Sequence, residues 1–321
     1  MKKNAIRLLC AICSLYFFAI RAAAADMLVP VGQVIGLELY NDKVTVVAFD
    51  DCIRSGRDAG LQIGDEICRI DTHTIETAED VRHALNSSDG SVNVTVVRSG
   101  KERQLHMEPE ITADGPKLGV FLRQGITGIG TVTCYDPETG SFATLGHAVN
   151  DSKGKLLKMS RGCAYPAKVV SVQKGKSGAP GQLKGALNTE VLLGQLTGNT
   201  VCGVFGTARD AWQGKAVEVG SCEQIRTGEA LIRSTISDGA PENYSVEIIK
   251  LYPKNRADGR NMLIKVTDPD LLAVTGGIVQ GMSGSPIMQD GKLVGAVTHV
   301  LVNDPTMGYG IYIENMLDAA A

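Results

Sequence analysis

The chain of 321 residues is short of aromatic side chains, with 6 Phe, 8 Tyr and 1 Trp against 37 glycines. So few large rings, punctuated so often by glycine, favour many short strands and turns over long helices. A surplus of charge is missing as well. The formal net charge is −3, and without a basic excess there is no electrostatic footprint for nucleic acid. Also absent are a Walker A sequence and any G-x-G-x-x-G opening a helix after a strand, so nucleotide chemistry has no support. Beyond residue 26, Cys52, Cys68, Cys134, Cys163, Cys202 and Cys222 show no C-x-x-C spacing. This speaks against a zinc site and leaves two readings, disulfides or small buried hydrophobes. No cofactor or metal is expected.

What remains is an ordinary globular composition, 44% hydrophobic and 21% charged, long enough for about two domains with real cores. At the N-terminus Lys2, Lys3 and Arg7 precede the apolar run Leu8–Ile20 and then RAAAAD. A basic start, a short apolar core and small residues fit an export signal over residues 1–25. A retained membrane anchor is the other reading, because Ala22 to Ala25 lengthen the apolar stretch.

From Met27 to residue 112 the pattern is strand, strand, Gly-rich turn, strand, helix, strand. KVTVVAFD and SVNVTVVR are β-branched runs. In TAEDVRHAL, Thr77 is the expected N-cap, with Val81, Ala84 and Leu85 on the apolar face. Beyond Asp114 come strands of four to eight residues separated by glycine turns, the pattern of an all-β sandwich or barrel. ETG and QDG read as hairpin turns.

Chemistry concentrates in GMSGSP, Gly281 to Pro286. A serine hydroxyl needs a base to take its proton and amide hydrogens aimed at the oxygen that becomes negative. Gly281 and Ser283 could donate such amides from a sharp turn. Of five histidines, His73, His83 and His106 belong to the first module and His299 follows the serine loop. His147, in SFATLGHAVND, is the candidate base. Asp151, Asp210, Asp238, Asp258, Asp268 and Asp270 compete for the carboxylate that would orient it, and spacing does not choose.

The phrase AGLQIGDEICRIDTHTI, Ala59 to Ile75, resembles the signature of bacterial PDZ domains. That resemblance implies an extended peptide, a C-terminus or the chain's own, bound along a sheet edge. It places the carboxylate-binding loop at Ile35, Gly36 and Leu37. GMSGSP is similar to the nucleophile loops of chymotrypsin-like peptidases, which makes Ser283 the nucleophile and leaves Ser285 as rival. GIGTVTCYDPETGSFATLGHAVND, with VTDPDLLAVTGGIVQGMSGSPIMQDGKLVGAVTH far downstream, resembles the SpoIVB peptidases of endospore formers. The expected fold is mainly β: a PDZ (α/β) domain over 27–112, then a chymotrypsin-like double β-barrel over 114–321. By the same resemblance His147 is general base, Ser283 nucleophile, Asp268 the third member, and Gly281 and Ser283 the oxyanion hole. It implies an exported serine endopeptidase of sporulation signalling. Such an enzyme cuts itself and a membrane-bound regulatory complex in the forespore intermembrane space, which activates intramembrane processing of a pro-sigma factor. A PDZ domain placed first separates this family from HtrA-like proteases, which place it last. A non-catalytic scaffold is the alternative.

Overall fold

The computed structural model describes residues 27–151 and 153–320. The export segment, with Cys10 and Cys13, lies outside these residues. Among the described residues no helix is long and apolar enough to cross a membrane, and all six cysteines are free thiols.

The chain opens with β1 (Met27–Pro30) and the long β2 (Val34–Phe49). A one-turn helix α1 (Ser55–Asp58), β3 (Glu66–Ile70) and β4 (His73–Thr74) follow. Helix α2 (Ala78–Asn86) leads to the hairpin of β5 (Val92–Arg98) and β6 (Lys101–Met107). A small hairpin, β7 (Glu110–Thr112) and β8 (Gly115–Lys117), delivers the chain into β9 (Val120–Tyr135), as long as β2. Next come β10 (Ser141–Thr144), β11 (Arg161–Gln173), β12 (Gln182–Leu187), β13 (Gly194–Thr200) and β14 (Gly203–Ala208). After β15 (Val217–Glu218) the second half runs β16 (Gly228–Ser234), β17 (Glu242–Leu251) and β18 (Met262–Val266). Helix α3 (Pro269–Thr275), β19 (Pro286–Gln289), β20 (Lys292–Leu301), β21 (Asp304–Tyr312) and helix α4 (Ile313–Ala320) complete it.

These strands make two rings. β16, β17, β18, β21, β20 and β19 close a barrel around Ile232, Ile248, Met262, Ile264 and Ile287. The pairings β2–β9, β9–β10, β10–β14, β14–β13, β13–β11 and β11–β2 close a second ring of six. Its core holds Ile35, Leu37, Leu39, Val132, Phe142 and Val204. Each ring closes on itself through these pairings, although β9 meets β10 only from Val132 onward. Ala143 and Phe205 of the first ring pack with Leu293, Ala296 and Ile311 of the other, and Met316 of α4 joins the seam. The fold is mainly β, a PDZ-type module with a double barrel, as expected from the sequence.

The PDZ-type module grows out of the first ring. Beyond Tyr40 the far halves of β2 and β9 continue as a sheet with β3, β5 and β6 around Val46, Ile67, Val81, Leu85 and Val94. Strand pairing therefore divides the chain differently from the sequence reading. Residues 34–40, expected within the first module, pair with 125–131 and 161–166 in the barrel. The reason is that one strand sixteen residues long serves both bodies.

Local chemistry explains the GLQIGD signature. Gly60 and Gly64 take φ of +94° and +93°, the left-handed region that glycine enters without steric cost. Asp65, its side chain 1% exposed, accepts a two-pronged ion pair from Arg98 and the Gln62 amide. On α2, Thr77 Oγ1 accepts the Asp80 amide (3.0 Å) and Asp80 accepts the Thr77 amide (2.7 Å), a reciprocal capping box. The QDG turn has positive φ at both Asp290 and Gly291, as a two-residue hairpin between β19 and β20 requires.

Candidate active site

The turn carrying Ser283 lies between α3 and β19. Gly281 and Gly284 have φ of +100° and +97°. A Cβ on Gly284 would sit 1.9 Å from the Thr131 carbonyl oxygen, so only glycine lets this turn close against β9. Buried Thr131 and Thr133 donate their hydroxyls to the carbonyls of Gly281 (2.8 Å) and Gly284 (2.7 Å). The Thr131 amide donates to the Ser283 carbonyl at 2.9 Å. A loop of the second barrel is thus pinned to a strand of the first.

Amides within the turn fall into two sets. Those of Met282, Gly284 and Ser285 donate to the carbonyls of Val279, Val297 and Met282. Those of Gly281 and Ser283 have no acceptor among the described residues. The two serines separate as cleanly. Ser285 is 0% exposed, and its hydroxyl donates to the Met282 carbonyl (2.7 Å) and shares a bond with Ser234 Oγ (3.0 Å). Ser283 opens into a cavity of about 340 Å³ that His147 also lines.

The other walls of that cavity are apolar, with Leu37, Leu39, Ile126, Ile129 and Leu145 among them. His147 follows β10, and its Nδ1 lies 2.9 Å from the Ala148 carbonyl oxygen. A carbonyl can only accept, so Nδ1 carries the hydrogen and Nε2 keeps a free lone pair, the form a general base needs. Burial lowers the pKa of His147, partly offset by the Ala148 bond. The imidazole is neutral at pH 7.

Ser283 Oγ donates to the Thr298 carbonyl at 2.7 Å, not to His147. The next residue, His299, lays its ring 5.0 Å from that of His147, centroid to centroid. Its Nδ1 is buried and has no hydrogen-bond partner among the described residues. Burial first, then the neighbouring His147 and Arg260, push its pKa down to about 4.

Two sequence expectations meet a different geometry. Asp268 is the N-cap of α3, and its carboxylate accepts the amides of Asp270 (3.1 Å), Leu271 (3.0 Å) and Ser245 (3.1 Å). It makes no hydrogen bond to His147 and does not line the cavity. Pro269 at the first helical position makes that cap the local demand on Asp268.

Ile35, Gly36 and Leu37 form no loop. They lie in β2 with both edges paired, to Gly128–Gly130 on one side and Ala164–Pro166 on the other. Gly36 is small because Leu187 packs on it, where a Cβ would meet its Cγ at 2.3 Å. Leu37 instead walls the cavity of Ser283.

A second Φ-G-Φ sequence, Leu118-Gly119-Val120, stands where a PDZ-type loop belongs, directly before the edge strand that faces α2. Gly119 has φ +69°, and the amides of Leu118 and Gly119 have no acceptor among the described residues. Sequence reasoning passed over it as a boundary segment. It also passed over His299, since only the packing of one barrel against the other brings its ring against that of His147.

A family model described as SpoIVB peptidase S55 matches residues 114–317. A curated protein of Agrobacterium fabrum, "Putative zinc metalloprotease Atu1380", is 34% identical over 95 residues, covering 29% of this chain and 24% of that protein. The chain thus spans about a quarter of the length of that relative. Among solved structures, the PDZ domain of the SdrC-like protein Lmo2051 from Listeria monocytogenes has a TM-score of 0.23 at 22% identity, covering 26% of this chain and 88% of that one. The active form of the Rv3671c protease of M. tuberculosis has a TM-score of 0.36 at 14% identity, covering 61% and 73%. Among the described residues, no three or more His, Cys, Asp or Glu side chains gather to hold a metal ion.

Proposed function

Because the chain belongs to the SpoIVB peptidase S55 family of serine peptidases, we propose that it hydrolyses peptide bonds with Ser283 as nucleophile and His147 as general base. One observation carries this reading. Ser283 and His147 share a cavity while two unpaired amides of the serine turn stay available. The seryl hydroxyl rotates from the Thr298 carbonyl to His147 Nε2 when substrate enters, since catalytic hydrogen bonds commonly form only in the Michaelis complex. Nε2 takes the proton as Oγ adds to the peptide carbonyl. The amides of Gly281 and Ser283 receive the developing oxyanion. His147 then gives its proton to the leaving amine, and water hydrolyses the acyl-enzyme by the reverse sequence.

The Ala148 carbonyl performs the orienting task usually given to a carboxylate, fixing the tautomer through Nδ1–H. Within the family's chemistry, the biological reading is an exported sporulation signalling protease. It cuts its own chain and a membrane-bound regulator in the forespore intermembrane space, and so licenses intramembrane processing of a pro-sigma factor. Its PDZ-type groove holds peptide C-termini at Leu118–Gly119.

The test incubates the purified chain beside its Ser283→Ala and Ser285→Ala variants and sequences the fragments. Wild type is expected to yield fragments, Ser283→Ala none, and Ser285→Ala the wild-type fragments from whatever fraction folds. Undiminished cleavage by Ser283→Ala would overturn the assignment.

A further inference from the structure

Strand β9 has two edges with different fates. One is paired with β2 from Val120 to Thr131. The other meets β10 only from Val132 onward. Between Val120 and Gly130 no strand pairs with that second edge among the described residues. Phe121, 56% exposed, marks it, together with exposed Arg123, Thr127 and Gly128. A Cβ on Gly128 would meet nothing within 4 Å, because that face of the strand looks into the cavity of Ser283. A bare strand edge is a template for an added strand.

Each end of this edge reaches a site. Upstream, the amides of Leu118 and left-handed Gly119 have no acceptor among the described residues, and neighbouring free N–H groups are what an anion needs. Downstream, Ile126, Gly128 and Ile129 wall the cavity of His147 and Ser283, and Thr131 is bonded to the Ser283 carbonyl. One continuous strand joins this pair of free amides to a nucleophile. At a rise of about 3.3 Å per residue the open stretch measures roughly 35 Å.

We propose that the substrate is a polypeptide with a free C-terminus, added as a strand antiparallel to β9, so that Ser283 cuts it at a set distance from that terminus. The carboxylate rests on the amides of Leu118 and Gly119. Traced back from that carboxylate toward its N-terminus, the substrate follows β9 as far as Ser283, which brings a bond about ten residues upstream of the carboxylate to the seryl hydroxyl. Substrate selection is by end and length, with the apolar cavity accepting a hydrophobic side chain beside the cut. This rests on the peptidase reading above and adds the geometry of substrate choice.

The experiment leaves the enzyme unaltered and varies the substrate. Unstructured peptides of one repeating sequence, chemically equivalent in every register, are offered to the full chain. One has a free C-terminus, one an amidated C-terminus, and one five further residues at its C-terminal end. Cleavage is expected about ten residues from the free terminus and five residues further along in the extended peptide. Amidation is expected to lower kcat/KM at least tenfold. Cleavage scattered along the repeat, or indifferent to the amide, would overturn the proposal while leaving the peptidase intact. No cleavage of any peptide would count against the peptidase reading, and with it against this one. A dimer that the free peptide fails to dissociate would put a second copy on the edge and overturn it too.

Discussion

Asp268 is a carboxylate with every oxygen already occupied. Three backbone amides converge on it, two of them from the first turn of α3, where an anion also meets the favourable end of the helix dipole. Asparagine caps a helix about as well as aspartate. Asp268→Asn is therefore expected to leave kcat within about threefold of wild type. Were Asp268 the orienting carboxylate, the same change would cost on the order of 10⁴ in kcat. Steady-state kinetics on one peptide separates the two outcomes. Gly281, Gly284 and Ser285 illustrate the same point from the other side. Their roles follow from what surrounds each atom, not from the motif string, which is why GMSGSP alone left Ser285 in contention.

Among the elements, the junction of β3 and β5 carries the module that feeds β9. Asp65 directly precedes β3 and is closed off from solvent, and Arg98 at the end of β5 meets it through two guanidinium nitrogens. Removing Asp65 leaves the Arg98 guanidinium, 19% exposed, without its partner, a cost of about 1–3 kcal/mol. Asp65→Ala is expected to destabilise the PDZ-type sheet by that amount, read as a lowered urea midpoint. The lower activity on peptides too short to reach Leu118 is expected to be the same in variant and wild type. Equal midpoints for wild type and variant would refute this.

Much of this element structure was legible in advance. β-branched runs marked β5, Thr77 marked the start of α2, and QDG marked a hairpin. These signals are local, being steric preference, an N-cap oxygen and a pair of left-handed turn residues. Ile35, Gly36 and Leu37 were not legible, because a Φ-G-Φ string looks the same before a free edge as inside a paired one. Only the partners of β2, more than eighty residues away in sequence, decide which it is.

The molecule as a whole joins a PDZ-type module to two barrels, with a pair of imidazoles in the seam between the barrels. His147 belongs to the first and His299 to the second, and their rings are 5.0 Å apart. Both have pKa values lowered by burial, His299 to about 4. Arg260 and His147 add to the effect on His299, while Asp258 opposes it only weakly. Asp258 is itself held by Arg256 and the Arg260 amide. In the unfolded chain these imidazoles bind protons at the ordinary value near 6.5.

Between that pH and about 4 the unfolded state therefore holds protons that the native state refuses, so acid favours unfolding. Stability is fully present above pH 6.5 and is lost as the pH falls toward 4. Exposed carboxylates such as Asp80 and Asp151, whose pKa values are lowered by backbone amides, contribute only at lower pH. The window from pH 7.5 to 5 thus isolates the seam. Urea midpoints of the wild type are expected to fall across that window with little change in slope m, and those of His299→Gln to fall less. An identical fall in both proteins would mean that the acid sensitivity lies elsewhere than between the barrels.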